Sequence, residues 1–548
     1  MSRKFSLLSI LLATSTLAFT PFARAAGKTP AAKSATPAQS TETYPPPDSV
    51  THGAVTIDGQ NINYTAVAGI LTVGATDGQD AQLGPNGNPM PGTQLAATES
   101  KNPAKAPPEA HMSFVYYYKS GARRADRPIT FIYNGGPGSS TVWLLLGAFG
   151  PERVLTPGDT HLPPAPYKLE PNPNCLLDAS DLVFIDAPGT GFGTLTGKNA
   201  GKAFWGVHQD ARAFARFIQR FLSEYHRWDS PKYLLGESYG TTRSAVLAND
   251  LENDQTIDLN GVVLLSQIFN FTSDIDEPAA NPGIDLPYEL ALPTYAATAW
   301  FHKDLPQQPA HLLPLLKEVE AYAMGPYRDA LTKGTNLSSA EERQVAEKLH
   351  QYTGLPASYW VKADLRVSGP EFEKTLQTGK DLTTGRLDTR FSGPTIDPLS
   401  ENAQYDPQSA AISSAYISLF NRYVRQVLKF GQGLTYVGFN ANSNNQWQWT
   451  SMKYGNPSGT NVSNDLADAM KMNPRLKVMV NGGYFDLATP FYAARYEDKH
   501  LPISPSVASN IQYHWYKSGH MIYVRAAAAK ELHNNVAAFI KSTDHEGQ

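Results

Sequence analysis

Gly236-Glu237-Ser238-Tyr239-Gly240 is the segment that most narrows what this chain can fold into. It follows a short buried-strand pattern, Lys232 to Leu235, and precedes a helical pattern that begins near Thr241. A serine flanked by glycines at two-residue spacing, set where a strand turns sharply into a helix, is the sequence form of a nucleophile elbow. The turn is so tight that a Cβ at either flanking position would meet neighbouring backbone, which accounts for both glycines. The helix beginning there also brings unpaired N–H groups to where an oxyanion would form.

An elbow of this kind needs a sheet to stand on. From Val50 to Leu83, runs such as Ala54-Val55-Thr56-Ile57 and Asn63 to Val67 flank Asp58-Gly59 and predict an antiparallel hairpin. From Ser113 onward the runs Phe114 to Tyr118, Ile129 to Tyr133, Leu182 to Ile185, Lys232 to Leu235 and Gly261 to Leu265 read as strands. Between the third and fourth of these, Val207, Ala211, Phe214, Ile218, Phe221, Leu222 and Tyr225 share one helical face. Alternating strand and helix implies right-handed crossovers, hence a mainly parallel sheet flanked by helices. After Asn270 that alternation lapses for about 170 residues, giving way to Pro-rich turns and helical patterns such as the capping-box sequence Ser338-Ser339-Ala340-Glu341. It resumes with Leu476 to Val480, Ile511 to Trp515 and the helical run Ala526 to Ile540. The fold class expected is therefore α/β, an α/β-hydrolase fold with an inserted, mainly helical cap. Its first part spans 49–272, the cap 273–440 and the closing part of the core 441–548.

The N-terminus reads differently. Arg3 and Lys4, the apolar stretch Phe5 to Phe19 and Ala23-Arg24-Ala25 have the form of a signal peptide over residues 1–25. Residues 26–48 are rich in Ala, Thr, Pro and Ser and predict a disordered tether. The mature chain is then expected to be exported, periplasmic or extracellular, with no membrane span. Without the first 25 residues the formal charge moves from -4 to -7, and no basic, aromatic-studded stripe suggests nucleic acid as a partner. Cys175 is the one cysteine, so there is no internal disulfide, and its apolar neighbours mark it as a small buried hydrophobe. No His-Glu-x-x-His, paired-cysteine or calcium-loop spacing is present, so neither a metal nor another cofactor is expected.

Ser238 requires a base, and thirteen histidines compete for the role. Position selects His520, which lies in Ser518-Gly519-His520-Met521 after the last strand pattern and before the last helix. An acid should fall between serine and histidine at the end of a late strand, and Asp486 does so, six residues after Val480. A second glycine motif, Asn134-Gly135-Gly136-Pro137-Gly138-Ser139-Ser140, ends the Ile129 to Tyr133 strand. No lysine follows at phosphate-loop spacing. An oxyanion loop fits better, with the N–H groups of Gly136 and Tyr239 as donors.

Taken together these segments resemble the serine carboxypeptidase family. The Asn-Gly-Gly-Pro-Gly loop from Asn134, the Gly-Glu-Ser-Tyr elbow from Gly236 and Gly519-His520-Met521 carry the resemblance. So do Asp486 with Pro490 and Ala494-Arg495-Tyr496 after it, and Asp186 to Phe192. The resemblance implies peptide substrates with a free C-terminus, whose carboxylate would be held by Asn134, Gly135 and Glu237. It also implies a second glutamate on the helix after the glycine loop, where this sequence has Ala148. Glu152 and Arg153 are close enough in sequence to be considered as substitutes. The expected activity is that of a serine-type carboxypeptidase. An esterase or acyltransferase on the same scaffold is the first rival, and a catalytically silent binding protein of the envelope the second.

Overall fold

A hairpin opens the sheet. Ser49–Ile57 (β1) and Gln60–Gly74 (β2) pair antiparallel with Ile57 opposite Gln60. Asp58 and Gly59 between them have φ of 45° and 78°, the left-handed pair that a two-residue hairpin turn demands and that Asp-Gly supplies. Glu109–Lys119 (β3) adds to β2, again antiparallel. The remaining strands are Ile129–Tyr133 (β4), Asp181–Ile185 (β5), Lys232–Glu237 (β6), Gly261–Leu265 (β7), Lys477–Gly483 (β8) and Ile511–Tyr516 (β9). Across the sheet they run β1-β2-β3-β5-β4-β6-β7-β8-β9, with short Thr194–Thr196 paired onto β3. β3 meets β5 antiparallel, and every later neighbour is parallel. The sequence thus anticipates a mainly parallel sheet correctly, although Phe114 to Tyr118 lies in a strand antiparallel to both its long partners. This computed structural model describes residues 44–96, 106–450 and 459–544. The signal peptide and nearly all of the tether lie outside the described residues.

Strands buried on both faces need apolar residues at every position rather than at alternate ones, and β5 illustrates this. Leu182 and Phe184 enter the core on one side of the sheet, Val183 and Ile185 the core on the other. Val207–Glu224 (α1) and Tyr239–Asn249 (α2) cover the second side. The stripe read from the sequence of α1 is the face it buries: Ala211, Phe214, Ile218, Phe221 and Leu222 are fully enclosed.

The inserted segment contributes to three cores. Leu286–His302 (α3) and the helix Ser339–Thr353 pack around Tyr295, Trp360 and Phe372 in a cluster separate from those of the sheet. The rings of Tyr295 and Phe372 stack at 4.0 Å. Ser338 and Glu341 form the capping box their spacing predicts, the Glu341 N–H donating to Ser338 Oγ at 3.3 Å. Pro407–Gln426 (α4), by contrast, lies on the first side of the sheet, as does Ala526–Thr543 (α5). Its Tyr423 hydroxyl meets that of Tyr117 on β3 at 2.9 Å. No helix among the described residues is long and apolar enough to cross a membrane.

Cys175 has no exposed surface and joins the first-side core, where burial pushes its thiol far above the ordinary range. A thiol reagent should therefore label the native protein slowly and the unfolded protein at once, with a stoichiometry of one. Rapid labelling of the native protein would contradict this packing.

Candidate active site

β6 ends at Glu237, and α2 begins at Tyr239. Ser238 between them is held at φ 61° and ψ -130°, a conformation that costs an L-residue about 1–3 kcal/mol and persists only where surroundings enforce it. Its N–H donates to the Leu265 carbonyl of β7 at 2.9 Å, and its own carbonyl accepts from the Thr241 N–H at 2.8 Å. A side chain at Gly236 would run into the Gly240 carbonyl, so glycine there permits the turn to close.

The other two residues of the sequence-derived triad come from the ends of the last two strands. Asp486 follows β8 and is wholly buried, and His520, after β9, is buried also. The His520 Nδ1–H donates to Asp486 Oδ2 at 2.9 Å. Thr489 completes the clasp, donating its N–H to Asp486 Oδ1 at 2.9 Å and its hydroxyl to Oδ2 at 2.7 Å. Burial disfavours an imidazolium at His520, but the charge and hydrogen bond of Asp486 outweigh it, and the ring is held above its ordinary pKa. Such a ring can accept a proton while its tautomer stays fixed. Ser238 and His520 line one cavity of about 350 Å³, together with Asn134, Gly135, Gly136 and Glu237.

The glycine loop docks directly on the elbow. A side chain at Gly135 would overlap the N–H groups of Tyr239 and Gly240, so that position can only be glycine. The Tyr239 N–H opens α2, and the first N–H groups of a helix have no partner inside it. Asn134 organises the loop: its Oδ1 accepts from the Leu144 N–H at 3.1 Å, and its Nδ2 donates to Glu237 Oε1 at 3.2 Å. Its carbonyl accepts from Arg243 Nη1 at 2.7 Å. Arg243, entirely buried on α2, also pairs with the equally buried Asp210 of α1 at 2.6 Å and lies over the ring of Phe214. Asp186, in the block after β5, accepts from the Thr141 N–H at 2.8 Å and the Ser113 hydroxyl at 2.7 Å, fixing the loop's far end.

Glu237 is buried, and loss of water pushes its carboxyl up to about 7. His520, Tyr523 and Asn134 pull the other way, and Asp486 reinforces the rise. Oε1 has Asn134, whereas Oε2 completes no hydrogen bond. Ala148 sits in the buried turn Leu144–Phe149 and brings no acid. Of the two substitutes considered from sequence, Arg153 pairs with Glu170 at 2.6 Å, and Glu152 lies beside it on the short strand Glu152–Val154.

Several residues of the site were not singled out in sequence. Arg386 and Leu387 of the inserted segment line the cavity, as do Ser409, Ile412 and Ser413 around the start of α4. The Leu387 carbonyl accepts from the His520 N–H at 2.7 Å, and Asp388 accepts from the Gly519 N–H at 3.2 Å. Thr489 had a readable signal, a threonine three residues after a buried aspartate. The rest had none.

A family model described as serine carboxypeptidase matches residues 104–533. A carboxypeptidase Y homolog from Arthroderma benhamiae is 28% identical over 205 residues, which are 36% of this chain and 38% of that protein. The pheromone-processing carboxypeptidase KEX1 of Yarrowia lipolytica is 27% identical over 154 residues, 28% of this chain and 23% of that protein. The chain thus spans well under half the length of these curated relatives. The crystal structure of the Saccharomyces cerevisiae prohormone-processing carboxypeptidase Kex1 superposes with a TM-score of 0.51 at 15% identity, covering 87% of this chain and 91% of the other. At that identity it speaks for the fold, an α/β hydrolase.

The Arg243–Asp210 pair makes a stability prediction. Arg243→Met leaves a buried carboxylate and the Asn134 carbonyl without their donor, and should cost about 3–5 kcal/mol in denaturant unfolding. Removing both charges in Arg243→Met/Asp210→Leu should cost less than the single change. A double variant less stable than Arg243→Met would show that the carboxylate is not what the guanidinium satisfies.

Proposed function

The chain belongs to the serine carboxypeptidase family, and on that premise we propose that it is a serine-type carboxypeptidase that releases C-terminal residues from peptides through an acyl-enzyme. Ser238 Oγ attacks the last peptide carbonyl as His520 takes its proton, and the N–H groups of Gly136 and Tyr239 hold the developing oxyanion. His520 then returns the proton to the departing α-amino group, and water, activated by the same ring, releases the acyl group. Asp486 keeps the imidazole in the required tautomer. The observation that carries the reading is the buried Glu237 carboxyl beside Ser238, joined to Asn134 at 3.2 Å and raised to about 7. Below that value the carboxyl is neutral and can donate to a substrate carboxylate; above it two like charges meet. The basic start and apolar stretch of residues 1–25 support export to the periplasm or the exterior.

Three measurements test this. Ser238→Ala and His520→Ala should each lower kcat by roughly 10⁴- to 10⁶-fold, with the double variant scarcely worse, because the two act as a unit. An N-blocked dipeptide acid should be cleaved about 10²-fold better than its C-terminal amide, since the amide leaves the carboxylate subsite incompletely paired. Its KM should rise as pH passes through about 7, and Glu237→Gln, which cannot ionise, should flatten that rise. Equal rates on acid and amide, or turnover of simple esters alone, would leave an esterase or acyltransferase as the better description.

A further inference from the structure

Glu237 has a companion that the catalytic steps do not use. Tyr523 lies three residues after His520 in the buried turn Ile522–Val524, and its hydroxyl, like Glu237 Oε2, is buried without completing a hydrogen bond. The two are neighbours, and the same hydroxyl lies near the Asn134 side chain. The turn that carries Ala148 packs directly on this ring: a methyl group at Gly147 would come within 2.7 Å of the Tyr523 ring and of the Tyr416 hydroxyl. Tyr523 and Tyr416 thus lie both against the turn that carries Ala148 and near Glu237.

We propose that Tyr523 is a positioning residue of the carboxylate subsite, its hydroxyl orienting the Glu237 carboxyl and setting the pH at which that carboxyl releases its grip on substrate. The inference rests on the carboxypeptidase reading above. A phenol held in this site stays neutral throughout the working range, because burial and then the adjacent Glu237 raise it well above its ordinary value. It remains a donor where a second carboxyl would ionise. The titratable groups facing Glu237 are His520, Asp486, Tyr523 and Tyr416, and of the two carboxyls present Glu237 is the one placed to meet the substrate carboxylate. Above its midpoint, log KM for an acid substrate should climb with a slope near one.

Tyr523 favours the charged form of Glu237, so removing its hydroxyl moves the Glu237 midpoint upward. In Tyr523→Phe the KM midpoint for the N-blocked dipeptide acid should shift to higher pH by about half to one unit. The acid-over-amide ratio of kcat/KM should fall about 5- to 10-fold, chiefly through KM. Tyr416→Phe, which removes the other phenol packed on the same turn, should leave the midpoint in place. An unmoved midpoint in Tyr523→Phe, an equal shift in Tyr416→Phe, or a parallel loss on acid and amide without a shift would overturn the proposal. Glu237→Gln separates the two levels of argument. If it retains the wild-type KM profile, the carboxylate reading itself falls and this inference with it; if it flattens the profile while Tyr523→Phe does not move it, only the role of Tyr523 falls.

Discussion

The site depends on one guanidinium. Arg243 is buried on the helix that Ser238 begins, yet what it holds lies on other elements: the Asp210 carboxylate of α1 and the Asn134 carbonyl at the end of β4. Elbow helix, neighbouring helix and glycine loop are thereby tied at one point. A charge buried this deeply is tolerated only when its partners are fixed, and the rings of Phe214, Tyr133 and Tyr239 close around it. Gly135 can rest against the Tyr239 N–H only if both turns keep their places to within a fraction of an ångström. The ion pair supplies that constraint without touching the cavity.

Two carboxyls near the serine show how surroundings divide their labour. Asp486 accepts from the Thr489 N–H, the Thr489 hydroxyl and His520. Glu237 accepts one complete hydrogen bond, from Asn134, and burial raises it to about 7. Asp486 is thus taken up by the His520 ring and Thr489, whereas Glu237 keeps one oxygen, Oε2, without a partner and is pushed upward by loss of water.

What could be read from the sequence was whatever backbone geometry encodes. Gly135 and Gly236 are legible because a close approach of main chains excludes every other residue, and Asp58-Gly59 because its turn demands positive φ. His520 and Asp486 were found by their order relative to strands. Contacts between segments distant in sequence leave no such mark. Nothing about Leu387 announces that its carbonyl holds His520, 133 positions later. Pro407–Gln426 lies in the stretch read from sequence only as Pro-rich turns and helical patterns, with nothing to say which core it would join, and Tyr523, within an apolar stretch, gave no hint that its hydroxyl ends beside Glu237.

Residues 386–389 have a consequence for how such an enzyme can be altered. The Arg386 carbonyl accepts from Leu487 and Ala488, that of Leu387 accepts from His520, and the Thr389 N–H donates to the Phe485 carbonyl. The segment therefore grips the backbone around both Asp486 and His520. Shortening the protein to its sheet and helices would remove the acceptors that hold the backbone at Leu487, Ala488 and His520, and with them the support of the Asp486–His520 pair. Grafting another insertion to change selectivity would have to preserve this four-residue brace while replacing what lies on either side of it.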